Sequence, residues 1–163
     1  MIKRLVLLAT LISILCFASC DDRNQVARED VSVSELSERL ESAMSNRELL
    51  EDSSERYINS KVSRRAVGGS ATEYVMKTSL SQVCDEYGVI KAASGDDAVL
   101  ICEEINLSLK RRREEWDDRY YAKEKPKIFA AEARQFGIYV IYGVLDPTEL
   151  DTVFSLAEDT IYH

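Results

Sequence analysis

Histidine is almost missing from this 163-residue chain: the single one, His163, is the last residue. A general base must be held in place, and a frayed terminus does not hold it. That argues against Ser-His-Asp and Cys-His nucleophile systems. It also argues against a tetrahedral zinc site, which two cysteines without a nearby histidine cannot complete. Proline (2) and glycine (6) are scarce. Many β-turns need those residues, so their scarcity favours helices joined by few loops. Basic residues are in deficit, 21 Lys and Arg against 29 Asp and Glu, for a net charge of −8. Phosphate binding depends on dense Lys and Arg, which makes nucleic acid a poor partner. A C-x-x-C pair and a phosphate-cradling glycine loop are both missing, and Ser94-Gly95-Asp96-Asp97 lacks the alternating ligands of a Ca²⁺ loop. No cofactor, metal or catalytic residue is expected on these grounds.

What is present suits one globular domain. The chain is 45% apolar and 31% charged, with no internal repeat and no low-complexity region. Its N-terminus reads as an address. Lys3 and Arg4 form a basic start, and Leu5 to Phe17 is an apolar run of about 13 residues. Ala18, Ser19 and Cys20 follow, and then the polar Asp21-Asp22-Arg23-Asn24-Gln25. This order matches a secretory signal. The run falls short of the ~20 residues that a membrane-spanning helix needs.

The segment Phe17-Ala18-Ser19-Cys20 resembles the lipobox of bacterial lipoproteins, with Phe17 where leucine is usual. The resemblance covers about the first 22 residues. It implies cleavage before Cys20, a diacylglycerol on the Cys20 thiol and a palmitate-type acyl chain on the new amine. It also implies a bacterial membrane location, with the domain facing the periplasm or the exterior. An ordinary cleaved signal and an uncleaved anchor are the alternatives. Several acyl chains supply the strength that stable anchoring requires. Charge would not: removing Lys3 and Arg4 from a chain at −8 leaves about −10, which an anionic surface repels. Asp21 resembles the inner-membrane retention signal of enterobacterial lipoproteins.

The expected layout is a signal over 1–19, a lipidated polar tether over 20–31 and a single helical domain over 32–163. Ser32-Val33-Ser34-Glu35 is a capping box, and a long helix can follow to about Ala66, interrupted at Arg47 and Ser54 and stopped by Gly68-Gly69. Ser70-Ala71-Thr72-Glu73 starts another, running to Tyr87 and stopping at Gly88. A third begins near Asp96 and carries Ile101, Ile105, Leu109 and Trp116 on one stripe. Its run Lys110-Arg111-Arg112-Arg113 is followed at once by acids, which at i,i+4 spacing gives a self-neutralising face. Lys127 to Gln135 looks helical. Residues 136–145 suit a buried strand, yet without a visible partner strand they are assigned to a helix, with a short strand as the alternative. Asp146-Pro147-Thr148-Glu149 opens the last helix. The fold class expected is all-α, an antiparallel bundle of four or five helices.

Once Cys16 leaves with the signal and Cys20 carries lipid, Cys84 and Cys102 remain as an even pair in an oxidising compartment. Facing each other across a helical hairpin, they would close a loop of ~18 residues with a disulfide that contributes about 3 kcal/mol. Two buried free thiols are the alternative. The functional expectation is a membrane-anchored, non-enzymatic envelope lipoprotein acting by protein–protein contact. It could be a secretion or pilus assembly helper, or an exclusion or immunity lipoprotein. A peptidoglycan-active enzyme using a glutamate such as Glu103, Glu104, Glu114 or Glu115 is the alternative, and a purely structural lipoprotein is the third reading.

Overall fold

The computed structural model describes residues 26–80 and 83–163, without the side chains of Asp118 and Tyr120. The signal segment, Cys20 and Asp21 lie outside these residues. Ser32 starts the first element as expected: its hydroxyl accepts from the Glu35 amide at 3.1 Å and caps α1, Val33–Glu41. The long helix expected to Ala66 stops there. Its two interruptions are where the chain breaks. Arg47 begins a single 3₁₀ turn, which leads into a short strand β1, Leu50–Asp52. Ser54 caps a new turn, α2, Glu55–Tyr57, that widens into a π-turn over Ile58–Val62. Ser63 caps α3, Arg64–Val67, and Gly68-Gly69 end it, with Gly69 at φ 99°.

The helix expected from Ser70 is instead a strand, β2, Ala71–Ser79, and β3, Glu86–Ala92, pairs with it antiparallel. Ser94 caps the longest helix, α4, Gly95–Glu114. Two short helices follow, α5, Asp118–Tyr121, and α6, Lys125–Ala130. Residues 136–145 are not a helix either. They complete β4, Glu132–Phe136, and form β5, Tyr139–Val144. Gly137 turns the hairpin at φ 59°, the first of two turn positions. Asp146 and Pro147 open α7, Pro147–Tyr162, as expected, with the Asp146 carboxylate accepting from the Thr148 amide at 3.0 Å.

The all-α bundle is therefore wrong. The five strands make one antiparallel sheet in the order β1-β2-β3-β5-β4. Helices cover both faces. On one face, α1 and α7 bury Leu36, Leu40, Val153, Phe154 and Ile161 against Tyr87, Val89, Tyr139 and Ile141. On the other, the 55–67 segment, α4 and α6 bury Ile58, Val62, Ile101, Ile105 and Ile128 against Ile90, Val140, Tyr142 and Val144. Every residue of β5 is buried for this reason. A strand with both faces covered loses the polar–apolar alternation that marks a half-exposed one. The missing partner strand was β3, whose Gly88 looked like a helix stop. Gly88 has another role: the Tyr142 ring lies beneath it, and a Cβ there would stand 2.3 Å from Tyr142 Cε1.

Cys84 and Cys102 are free thiols, so the disulfide also falls. Without the expected hairpin of helices, they do not face each other. Cys84 precedes β3 and lines a cavity with Arg112, whereas Cys102 sits ten residues earlier on α4, about 15 Å along the axis. Alkylating the denatured mature protein without reductant is expected to label both Cys84 and Cys102. A mass two hydrogens lighter, with neither labelled, would restore the bridge.

The polypeptide just ahead of α1 is docked. The Arg28 amide donates to the Ile161 carbonyl at 2.9 Å, Val31 is buried, and the Tyr139 hydroxyl donates to the Val31 carbonyl at 2.7 Å. Among the described residues no helix is long and apolar enough to cross a membrane.

Candidate functional site

The start of β3 reads Cys84-Asp85-Glu86-Tyr87, and alternation along a strand sends neighbouring side chains to opposite faces. Glu86 points under the sheet and is 1% exposed. Its carboxylate accepts from three donors: Tyr57 Oη at 2.9 Å, Tyr142 Oη at 3.0 Å and Arg112 Nη1 at 2.9 Å. These come from α2, β5 and α4, so one carboxylate ties three elements to β3. Burial, reinforced by the Glu86 charge, pushes the Tyr57 and Tyr142 hydroxyls well above the ordinary phenol range. They stay protonated and donate. Burial opposes the charge on Arg112, but Glu86 outweighs it and raises that pKa.

Asp85, equally buried, takes Asn46 Nδ2 at 2.8 Å and pairs with Lys127 Nζ at 2.9 Å. Lys127 also meets Glu124 at 3.0 Å, and Glu124 accepts the Cys84 amide at 3.0 Å. Burial would lower the Lys127 pKa, yet Asp85 and Glu124 together raise it. On the opposite face Tyr87 bonds Ser37 at 2.6 Å and donates to Glu41, which pairs with Lys77 at 2.5 Å. Burial resists ionisation of Glu41, but Lys77 and Tyr87 hold its carboxyl below the usual range. Three adjacent polar clusters, around Asp85, Glu86 and Tyr87, thus occupy this end of the sheet. Their carboxylates already hold internal donors, which suits a staple better than an acid–base pair.

Two concavities flank α4, with Leu107 on the crest between them. One, of about 810 Å³, runs between α4 and the open edge of β4, lined by Val99, Cys102, Asn106 and Ala131 among others. Its floor is made by Asn106, whose amide mimics a neighbouring strand: Nδ2 donates to the Ala133 carbonyl at 2.9 Å and Oδ1 accepts the Ala133 amide at 3.0 Å. Around this groove large apolar side chains remain in water, Leu107 at 61%, Phe129 at 49% and Val99 at 42% exposed. The other concavity, of about 560 Å³, lies between α4 and the π-turn.

The residues singled out in the sequence are scattered over this frame. Burial, with Glu124 nearby, pushes the Cys84 thiol up, and burial does the same to Cys102. Neither has the depressed pKa of a nucleophile. Cys102 Sγ donates to the Ala133 carbonyl at 3.4 Å. Glu103 lines the larger groove, and Glu104 accepts from Ser63 Oγ at 2.8 Å. His163 is exposed at the end of α7. Of the pairs expected along 110–119, Lys110–Glu114 forms at 3.9 Å, whereas Arg112 turns inward to Glu86. The polar clusters at Asp85 and Glu86 are hidden in the sequence because 70–87 carries a helical start signal and a helical apolar spacing. Their one signal was Asp-Glu-Tyr directly before an apolar β-branched run. Among the described residues, no group of three His, Cys, Asp or Glu is placed to hold a metal ion. Comparison with known proteins returns no match to any family, curated protein or solved structure.

Proposed function

We propose that this chain is a membrane-anchored envelope lipoprotein, held by acyl chains on Cys20, that acts through protein–protein contact and not as an enzyme. The observation that carries the reading is the exposure of Val99 and Leu107, which both line the α4–β4 groove, with Phe129 exposed on α6 next to the lining residue Ala130. Large apolar side chains grouped around a concavity are what a partner surface covers. Anchoring confines the domain to one membrane and raises its effective concentration near partners there. A role in secretion or pilus assembly, or in exclusion or immunity, is consistent with this mode of action. Supporting the non-catalytic reading, Glu86 accepts from three internal donors, and Asp85 accepts from Asn46 and pairs with Lys127.

The test is crosslinking in membranes of cells expressing the full chain, with Cys20→Ser and Leu107→Asp as variants. Wild type should fractionate with membranes and crosslink to a discrete protein. Cys20→Ser should leave the membrane fraction, and Leu107→Asp should stay there but lose the crosslink. A Cys20→Ser product processed and bound as before would refute the anchor. A crosslink unaffected by Leu107→Asp would refute the α4 surface.

A further inference from the structure

The polar concavity on the other side of α4 has a charge pattern that the rest of the molecule does not explain. Lys61 and Arg64 project from the π-turn and from the start of α3, and Arg111 projects from the C-terminal half of α4. All three line the same space of about 560 Å³. Their side chains form no ion pair or hydrogen bond with any described residue. The helix dipole favours a cation in a last turn, which accounts for Arg111 on α4 and for Lys61 on the π-turn taken singly. It does not account for all three cations lining one concavity. Like charges around one concavity repel, and this chain has 29 acidic residues with which it could neutralise them.

Two acids also border the space and offset part of its charge, but neither forms an ion pair with Lys61, Arg64 or Arg111. Glu104 is turned into the wall, where one oxygen accepts from Ser63 Oγ at 2.8 Å and from the Arg65 amide at 3.2 Å. Glu115 is in the lining but pairs with none of the cations. The fourth cation, Arg112, is held by the buried Glu86, so its position is fixed. The walls are fixed too, since Ser108 Oγ donates to the Lys61 carbonyl at 2.5 Å and locks the π-turn onto α4. The result is a firm polar cleft with three unspent cations, of a size that takes a small ligand.

We propose that this cleft binds a small soluble oxyanion carrying two or more phosphate or carboxylate groups, gripped by Lys61, Arg64 and Arg111. Guanidinium groups bind both oxyanions in bidentate fashion, and a multivalent anion would relieve the repulsion among the three cations. The site is separate from the apolar groove and does not depend on the lipid anchor.

The test is calorimetric titration of the purified full chain in a non-ionic detergent, with pyrophosphate in one arm and citrate in the other. Saturable one-to-one binding of at least one anion is expected, and the arm that binds more tightly identifies phosphate or carboxylate as the preferred group. Arg111→Gln should weaken binding about tenfold or more, as should the Lys61→Gln/Arg64→Gln pair. Lys110→Gln, which removes the same charge from the other side of α4, should leave affinity within about twofold. No saturable binding of either anion would overturn the proposal. So would equal weakening by Lys110→Gln and Arg111→Gln, the signature of diffuse charge attraction. Arg111 is exposed on a helix, so Arg111→Gln carries the test if the double variant fails to fold.

Discussion

Replacing Glu86 with alanine should cost about 3–5 kcal/mol of folding free energy, the usual penalty for breaking a buried, hydrogen-bonded ion pair. Three partners are stranded at once. Arg112 loses its counter-charge, and the hydroxyls of Tyr57 and Tyr142 lose their acceptor in places where water does not easily replace it. Urea unfolding followed by Trp116 fluorescence should show the midpoint falling by on the order of 2 M, given slopes of ~1–3 kcal/mol/M for small domains. Glu86→Gln keeps an acceptor for one hydroxyl and should lose distinctly less. A midpoint for the alanine variant within ~0.3 M of wild type would mean that the network is not a staple. The sheet end would then need another explanation.

Gly88→Ala should be nearly as damaging, at about 3 kcal/mol, although it adds a single methyl group in mid-strand. The new Cβ would lie 2.3 Å from Tyr142 Cε1 and 3.0 Å from Met76 Cγ. The Tyr142 ring cannot step aside, because it is fully buried and its hydroxyl is tied to Glu86. Gly143→Ala is the matched control. Its Cβ would also be close to a neighbour, Leu150 Cδ1 at 2.6 Å, but that is the terminal methyl of an aliphatic side chain with no hydrogen bond to hold it. Thermal unfolding should place Gly88→Ala well below Gly143→Ala. Equal melting temperatures would show that the Tyr142 ring has room to move.

How far the sequence could be read depended on whether a signal was local. Ser32 and Asp146 each start a helix as their capping patterns predict, and a helix begins close to the expected Asp96, because a helix start depends on only a few neighbouring residues. Gly68-Gly69 ends a helix for the same reason. Arg47 and Ser54 were visible breaks in an apolar stripe, and they mark real breaks in the chain. Strand pairing is a non-local property, and there the reading failed. The Ser70-Glu73 pattern matches a capping box by chance, while Tyr74-Val75-Met76 is occupied by β3 on one side. The run 136–145 is strand-like in composition, but its neighbour β3 resembles the end of a helix in sequence, which leaves the run without a visible partner. One error therefore produced the other, and the disulfide that relied on a helical hairpin fell with them. The cleft of Lys61, Arg64 and Arg111 could not have been foreseen, since 47 residues separate Arg64 from Arg111 and the π-turn that presents Lys61 has no sequence signature.

The docked stretch at Arg28–Val31 sets a leash length. With Ala27 packed into the core beside α7, no more than residues 21–26 would be left to pay out between Cys20 and the body, about 20 Å fully extended. On the anchored reading the domain rides close to the bilayer and cannot search a deep volume. Anything it touches must come down to that altitude, which selects neighbours embedded in the same membrane over those free in the compartment.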